Sequence, residues 1–172
     1  MEQITRSTPQ QIVINLAPAC DCLQCRHGCT MGSGIFAQGE VEKLAKFLNK
    51  DVEDLKKNRL EEVTRFGKVF HRPKIDSKGL PYGKCTFFDE KIGCAIHEAK
   101  PLQCKVAMGC REYGEDLMLW FMLNHVVDPL NQNSVREYAA YLKSGAKVLK
   151  GGELESLIPD REMREKTLNF NP

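Results

Sequence analysis

The chain has 172 residues, 42% hydrophobic and 28% charged, and a formal net charge of +2 at pH 7. That length supports one domain with a proper core and is short for two, and the composition excludes a disordered chain. The small net charge gives no general attraction to nucleic acid or to a membrane. The opening MEQITRSTPQ lacks the basic and apolar segments of a secretory leader, so a cytoplasmic location is expected.

Residues 1–10 are polar and predict a loose arm. Ile12-Val13-Ile14-Asn15-Leu16 is short and rich in β-branched residues, the pattern of a strand, and Pro18 ends it. Residues 19–34 carry Cys20, Cys22, Cys25 and Cys29 among Gly28, Gly32 and Gly34, and read as an irregular ligand loop. From Gln38 the period becomes helical. Val41, Leu44, Ala45, Phe47 and Leu48 share one face, with Glu40, Glu42, Lys43 and Lys46 mostly opposite and Asn49 as the stop. Asp51 is placed to cap a second helix, carrying Val52, Leu55, Leu60 and Val63.

Lys68–Arg72 predicts a strand and Ser77–Gly83 a loop. Thr86-Phe87-Phe88 and Ala95-Ile96-His97, separated by Asp89–Gly93, predict a hairpin. Leu117–Leu123 is apolar on every face, so it is either a core helix or a helix covered on one side by a protein partner; it is far too short to span a membrane. Ser134-x-x-Glu137 is a capping-box pattern opening a helix through Tyr138, Tyr141 and Leu142. Gly151-Gly152 breaks the chain before short helices at Glu153–Ile158 and Arg161–Leu168, on either side of Pro159. The expected fold class is α+β, mostly helical with a few short strands, in one cysteine-rich, metal-centred domain. Its expected parts are an arm and strand (1–18), a cysteine-cluster region (19–112) and a C-terminal helical extension packed on it (113–172).

The eight cysteines divide into a quartet at 20, 22, 25 and 29 and a second at 85, 94, 104 and 110, the latter read as strand ends and loops. Structural disulfides are disfavoured in a reducing compartment and unneeded at this length. A thioredoxin-like dithiol requires a βαβ setting that the sequence around Cys22-x2-Cys25 lacks. Thiolates bind zinc, Cu(I) and iron–sulfur clusters. Zinc ribbons use two matched knuckles, which the second quartet does not offer. Cys22-x2-Cys25-x3-Cys29 with a remote cysteine leans toward [4Fe–4S], with zinc the alternative. His27 and His97 lie beside cysteines and are expected to hydrogen-bond to the centre rather than ligate it. His71 and His125 have no cysteine neighbours and read as structural.

These motifs resemble the YkgJ-type cysteine-cluster family, the zinc- or iron-chelating CxxCxxCC domain. Cys22-Leu-Gln-Cys25-Arg-His-Gly-Cys29, Cys85-Thr-Phe-Phe-Asp89 and Cys94-Ala-Ile-His-Glu-Ala-Lys-Pro-Leu-Gln-Cys104 follow its three segments in order, over residues 20–110. The resemblance implies a metal site at Cys22, Cys25, Cys29, Cys85, Cys94 and Cys104. Gly28 replaces one cysteine of the family's C-C pair, so Cys20 or Cys110 is a candidate to supply the missing thiolate. His97 stands where the family has Tyr, and Lys100 where it has Arg; Lys100 keeps the charge beside the centre without the planar fork. Flagellin lysine N-methylases carry this cluster in a larger enzyme; nothing in these residues suggests a second domain for methyl transfer, and none is expected.

Arg65, Lys68, Arg72, Lys74, Lys78 and Lys84, interleaved with Phe66, Phe70 and Tyr82, form a basic segment that could meet RNA or an acidic partner; a solvated face is the commoner use. No triad, P-loop or G-x-G-x-x-G occurs, so no catalytic constellation is expected. The function expected is an iron–sulfur protein with an electron-transfer or accessory role, or else a zinc-stabilised module binding a protein or RNA.

Overall fold

The computed structural model describes residues 3–17, 22–107 and 112–169, so Cys20 and Cys110 lie outside the described residues. Within that range helices predominate, and every strand pairs antiparallel with one neighbour. The α+β, mostly helical class stands.

Helix α1 is Gln10–Leu16, where a strand is expected. The helical cost of Ile12, Val13 and Ile14 is only about 0.5 kcal/mol each relative to Ala, and it is outweighed by burial of Val13, fully enclosed in the main core. Residues 3–9, the described part of the expected arm, are not loose. Ile4 is buried, Arg6 N donates to Lys150 O at 3.0 Å, and Trp120 Nε1 donates to Thr8 O at 2.8 Å. Helix α2, Leu23–Met31, replaces the expected ligand loop.

Helix α3 is Glu40–Leu48, with Asn49 turning into the left-handed region at its end (φ 51°). Phe47 is exposed rather than on the buried face, whereas Val41, Leu44 and Ala45 are buried. Helix α4, Val52–Arg59, starts where Asp51 Oδ1 accepts Glu53 N (2.9 Å) and Asp54 N (3.0 Å). It stops before Leu60 and Val63, which belong instead to strand β1, Leu60–Arg65.

Strand β2, Lys68–Pro73, returns along β1 through the two-residue turn Phe66-Gly67. Both turn residues have positive φ (47° and 67°), the geometry that suits a tight hairpin. Phe66 is held there by its ring, which packs against Tyr138 and Tyr141 at 6.2 and 6.4 Å. Two smaller ribbons follow. β3 (Ile75–Asp76) pairs with β4 (Lys84–Cys85), and β5 (Phe88–Asp89) pairs with β6 (Gly93–Cys94). The last is the expected hairpin, with strands tighter about the turn than the sequence suggests. Asp89 Oδ1 accepts Lys91 N and Ile92 N at 2.8 and 3.0 Å, and Gly93 supplies the positive φ of 82°.

Helix α5 is Leu102–Val106. Helix α6, Gly114–Phe121, widens into a π-helical turn at Met122–Val126. Leu117, Leu119, Trp120, Phe121 and Leu123 are all buried in the core. Core packing, one of the two expected uses of this segment, therefore covers these five side chains; the half-buried Met118 and Met122 line a surface cavity of about 400 Å³. Helix α7, Gln132–Lys143, begins earlier than the capping-box pattern predicts. Asn131 Oδ1 accepts Ser134 N (3.1 Å), which frees Ser134 Oγ to accept Asp128 N (2.9 Å). Helices α8 (Leu154–Leu157) and α9 (Arg161–Asn169) close the chain.

Two apolar clusters result. The larger joins α1, α5, α6, α7 and the segments around Leu149 and Ile158, with Tyr138 Oη donating to Gly152 O at 2.6 Å. The smaller joins α3 and α4 to Phe36, Leu60, Phe87, Phe88 and Ile96, and includes Cys85. No helix among the described residues is long and apolar enough to cross a membrane.

Candidate metal centre

Helix α2 explains the first cysteine spacing. Cys22 is its N-cap, and Cys25 and Cys29 follow at i+3 and i+7, so all three fall on one helical face. Cys22 Sγ lies 3.6 Å from Cys25 Sγ. Cys85 is delivered by β4 opposite Ile75, and Cys94 by β6 opposite Phe88.

Cys104 sits on α5 rather than in a loop, and four hydrogen bonds place it. Glu40 at the start of α3 accepts Leu102 N (2.9 Å to Oε1) and Ala37 N (2.8 Å to Oε2), tying α5 to α3. Burial raises the pKa of this carboxyl against the pull of those backbone bonds. Gln103 Oε1 accepts Ile35 N at 2.7 Å, and Cys104 Sγ accepts Gly34 N at 3.3 Å. A Cβ at position 34 would stand 2.6 Å from Cys104 Sγ, so glycine is needed there for space. Sequence reasoning missed Gly34, Glu40 and Gln103 as positioning residues. Gly34 was visible as one of several loop glycines, whereas Glu40 and Gln103 carried no signal.

Cys25, Cys29, Cys85, Cys94 and Cys104 line one cavity of about 320 Å³, between the two apolar clusters. Cys22 adjoins it through Cys25. None of the six described cysteines forms a disulfide. As placed, no three His, Cys, Asp or Glu side chains among the described residues converge on one ion-sized point. The thiols form a rim around a space rather than a closed four-ligand cage.

Arg26, His97 and Lys100 also line the cavity, and no carboxylate does so among the described residues. Lys100 is only 7% exposed, and its Nζ lies 3.4 Å from His97 Nε2. His27, expected beside the centre, is exposed and does not line the cavity. His71 lies 3.8 Å from Glu62 Oε1, and His125 packs on the rings of Trp120 and Phe121, both away from the thiols.

The thiols influence one another. Burial pushes the Cys104 pKa up to about 12, and the nearby Cys85, Cys29 and Cys94 add to it against the Gly34 N–H. Burial likewise pushes Cys85 up to about 11, with Cys29 and Cys94 adding and Phe87 N–H and Arg59 opposing. Without a cation these two remain protonated at neutral pH. A metal ion binds by taking the place of those protons. The donor chemistry fits soft or borderline metals, zinc and iron–sulfur iron among them.

No curated protein and no solved structure matches the chain. The family model CxxCxxCC, described as "Putative zinc- or iron-chelating domain", matches residues 21–120, which contain all of these thiols. The resemblance read from the motifs thus stands: by this match and its ring of thiols, the chain belongs to the CxxCxxCC family of metal-chelating domains.

Proposed function

We propose that this chain is an iron–sulfur protein in which clustered cysteines hold a [4Fe–4S] centre for electron transfer or an accessory role. The observation that carries this reading is the cavity itself. Five thiols from four elements surround about 320 Å³. That is about ten times the ~30 Å³ a water molecule takes in the liquid, room for a polynuclear group rather than one ion. Such a cluster, when bound, supplies one-electron transfer. The chain's part is to hold the thiolates, exclude bulk water with Phe88, Ile96 and Met118, and present Arg26 and Lys100 to the resulting negative charge. Purification without oxygen, followed by iron and acid-labile sulfide analysis, tests this: about four of each per chain are expected. Cys25→Ser should lose the metal. Full occupancy in that variant would remove Cys25 from the ligand set.

One observation favours a second reading, a zinc-stabilised module that binds a protein or RNA. The 3.6 Å between Cys22 Sγ and Cys25 Sγ is close to the separation of about 3.8 Å that two thiolates take on one tetrahedral zinc with bonds of about 2.3 Å. Stoichiometric zinc without sulfide would select this reading. Its partner surface would then be the basic hairpin, although Phe66 packs on Tyr138 and Tyr141 and Phe70 is buried, so neither is free to stack on bases. Arg72 Nε also pairs with Glu61 Oε1 at 2.7 Å. Replacing Lys68, Arg72 and Lys74 together tests that use, and unchanged partner binding would exclude it.

A further inference from the structure

Lys100 is the charged side chain that the fold treats least like a surface residue. It is only 7% exposed, whereas lysines are almost never buried unless paired. It lies one residue ahead of Pro101, at the entry to α5, and its side chain lines the thiol cavity. No carboxylate among the described residues lies within ion-pair distance of Nζ. The contact made there is His97 Nε2 at 3.4 Å, and an imidazole nitrogen can accept from an ammonium without neutralising it. The other charged group on the wall, Arg26, is also a cation. A buried cation without an opposite charge is strongly unfavourable, so a chain that keeps one is expected to compensate it. Among the described residues, the groups available for that inside this cavity are the thiols, which carry negative charge when they bind metal.

We propose that Lys100 is the internal counter-ion of the metal centre, a buried ammonium set in the cavity wall to offset the negative charge that the surrounding cysteines carry when they bind metal as thiolates. This rests on the metal-binding reading above, whichever metal is bound. Several thiolates on a divalent ion or on an iron–sulfur cluster leave net negative charge on the ligand set. Lys100 offsets part of that charge from within the wall, where salt and water screen it least. Lys100 therefore widens the stability gap between the loaded and empty states and biases the site toward an all-thiolate, anionic ligand set.

The consequence is a cost confined to the loaded state, which a merely structural lysine would not give. Lys100→Met keeps the length and removes the charge. Metal-free Lys100→Met is expected to melt at the same temperature as the parent or higher, while the loaded variant melts lower than the loaded parent. Release to a chelator should be faster by about 10- to 100-fold, the usual effect of losing a group that supports metal ligands. Lys100→Arg, which keeps the charge, should restore slow release.

The full chain is loaded anaerobically with iron and sulfide, and in parallel with Zn²⁺ alone. Melting of both states and metal release are then followed spectroscopically. If Lys100→Met lowers the melting temperature of both states equally, or fails to fold without metal, Lys100 is ordinary packing and the proposal is wrong while the metal reading survives. Unchanged release would also overturn it. Failure of the parent chain to take up either metal would overturn both.

Discussion

The two apolar clusters hold their parts of the chain by different means. In the helical region, Val13, Leu117, Phe121 and Tyr138 interlock across α1, α6 and α7, and each is at most 1% exposed. In the cysteine region, β3, β4, β5 and β6 are two residues long each, and each pairs with a single neighbour. Ribbons that short are marginal alone. What brings them together is the thiol-lined cavity and the smaller cluster behind it. The contrast teaches that one region is complete by apolar burial, while the other is arranged around a group that the chain itself does not supply.

Metal removal is the strongest test of that contrast. A ligand at about a thousand times its Kd adds about 4 kcal/mol to the state that binds it. Stripping the metal should therefore collapse hydrogen-exchange protection at Cys85, Phe88 and Cys94 while α6 and α7 keep theirs. Equal loss in both regions would merge them into one cooperative unit.

Leu117→Ala probes the other side. It removes a fully buried side chain, and the cost should be about 2–5 kcal/mol in urea unfolding, with or without metal. A cost seen only in the loaded protein would mean that the helical core depends on the centre after all.

The pH dependence of the metal-free chain is a smaller effect and belongs to the cysteine side. Cys85 and Cys104 hold their protons to about 11 and about 12 when folded, against 9.0 for the unperturbed thiol. Above pH 9 the unfolded chain loses protons that the folded chain retains, so stability is full below that pH and falls as pH rises through the window. Each thiol contributes a slope on the order of 1.4 kcal/mol per pH unit. Tyr138, pushed up to about 12 from 10.0 by burial, adds in the same direction from the helical side. Urea midpoints for the parent and Cys85→Ala isolate the Cys85 share, since the Cys104 and Tyr138 contributions remain in the variant.

The smallest expected change is also the most local. Gly34→Ala puts a methyl group against Cys104 Sγ and should weaken metal retention about tenfold, the low end of the range for disturbing a ligand's support. Helical stability should not change, and a variant that retains metal normally would show that α5 can shift to make room.

Much of the chemistry was legible in the residues. Crowded thiols in order and at these gaps specified metal-binding chemistry, because few other uses for so many cysteines survive in a chain with enough core of its own. The spacing at 22, 25 and 29 even contained the helix: i, i+3 and i+7 is a helical face, and Gly28 among them, with Gly32 and Gly34 just beyond, obscured it. At Asp51 and Asn49 the caps were readable because capping is a local interaction between a side chain and its own helix end.

What only the tertiary structure decided was everything fixed by distant contacts. Ile12-Val13-Ile14 became helix because Val13 had a core to enter, a preference stronger than local propensity. Leu117–Leu123 turned inward because α1, α5 and α7 were there to cover it. Cys104 reached the other thiols through Glu40, Gln103 and Gly34, up to seventy residues away along the chain. The burial of Lys100 among thiols is likewise a property of the assembled wall. Residue type sets which atoms can bind metal; only packing sets which of them meet, because the free energy that brings them together comes from surfaces far apart in sequence.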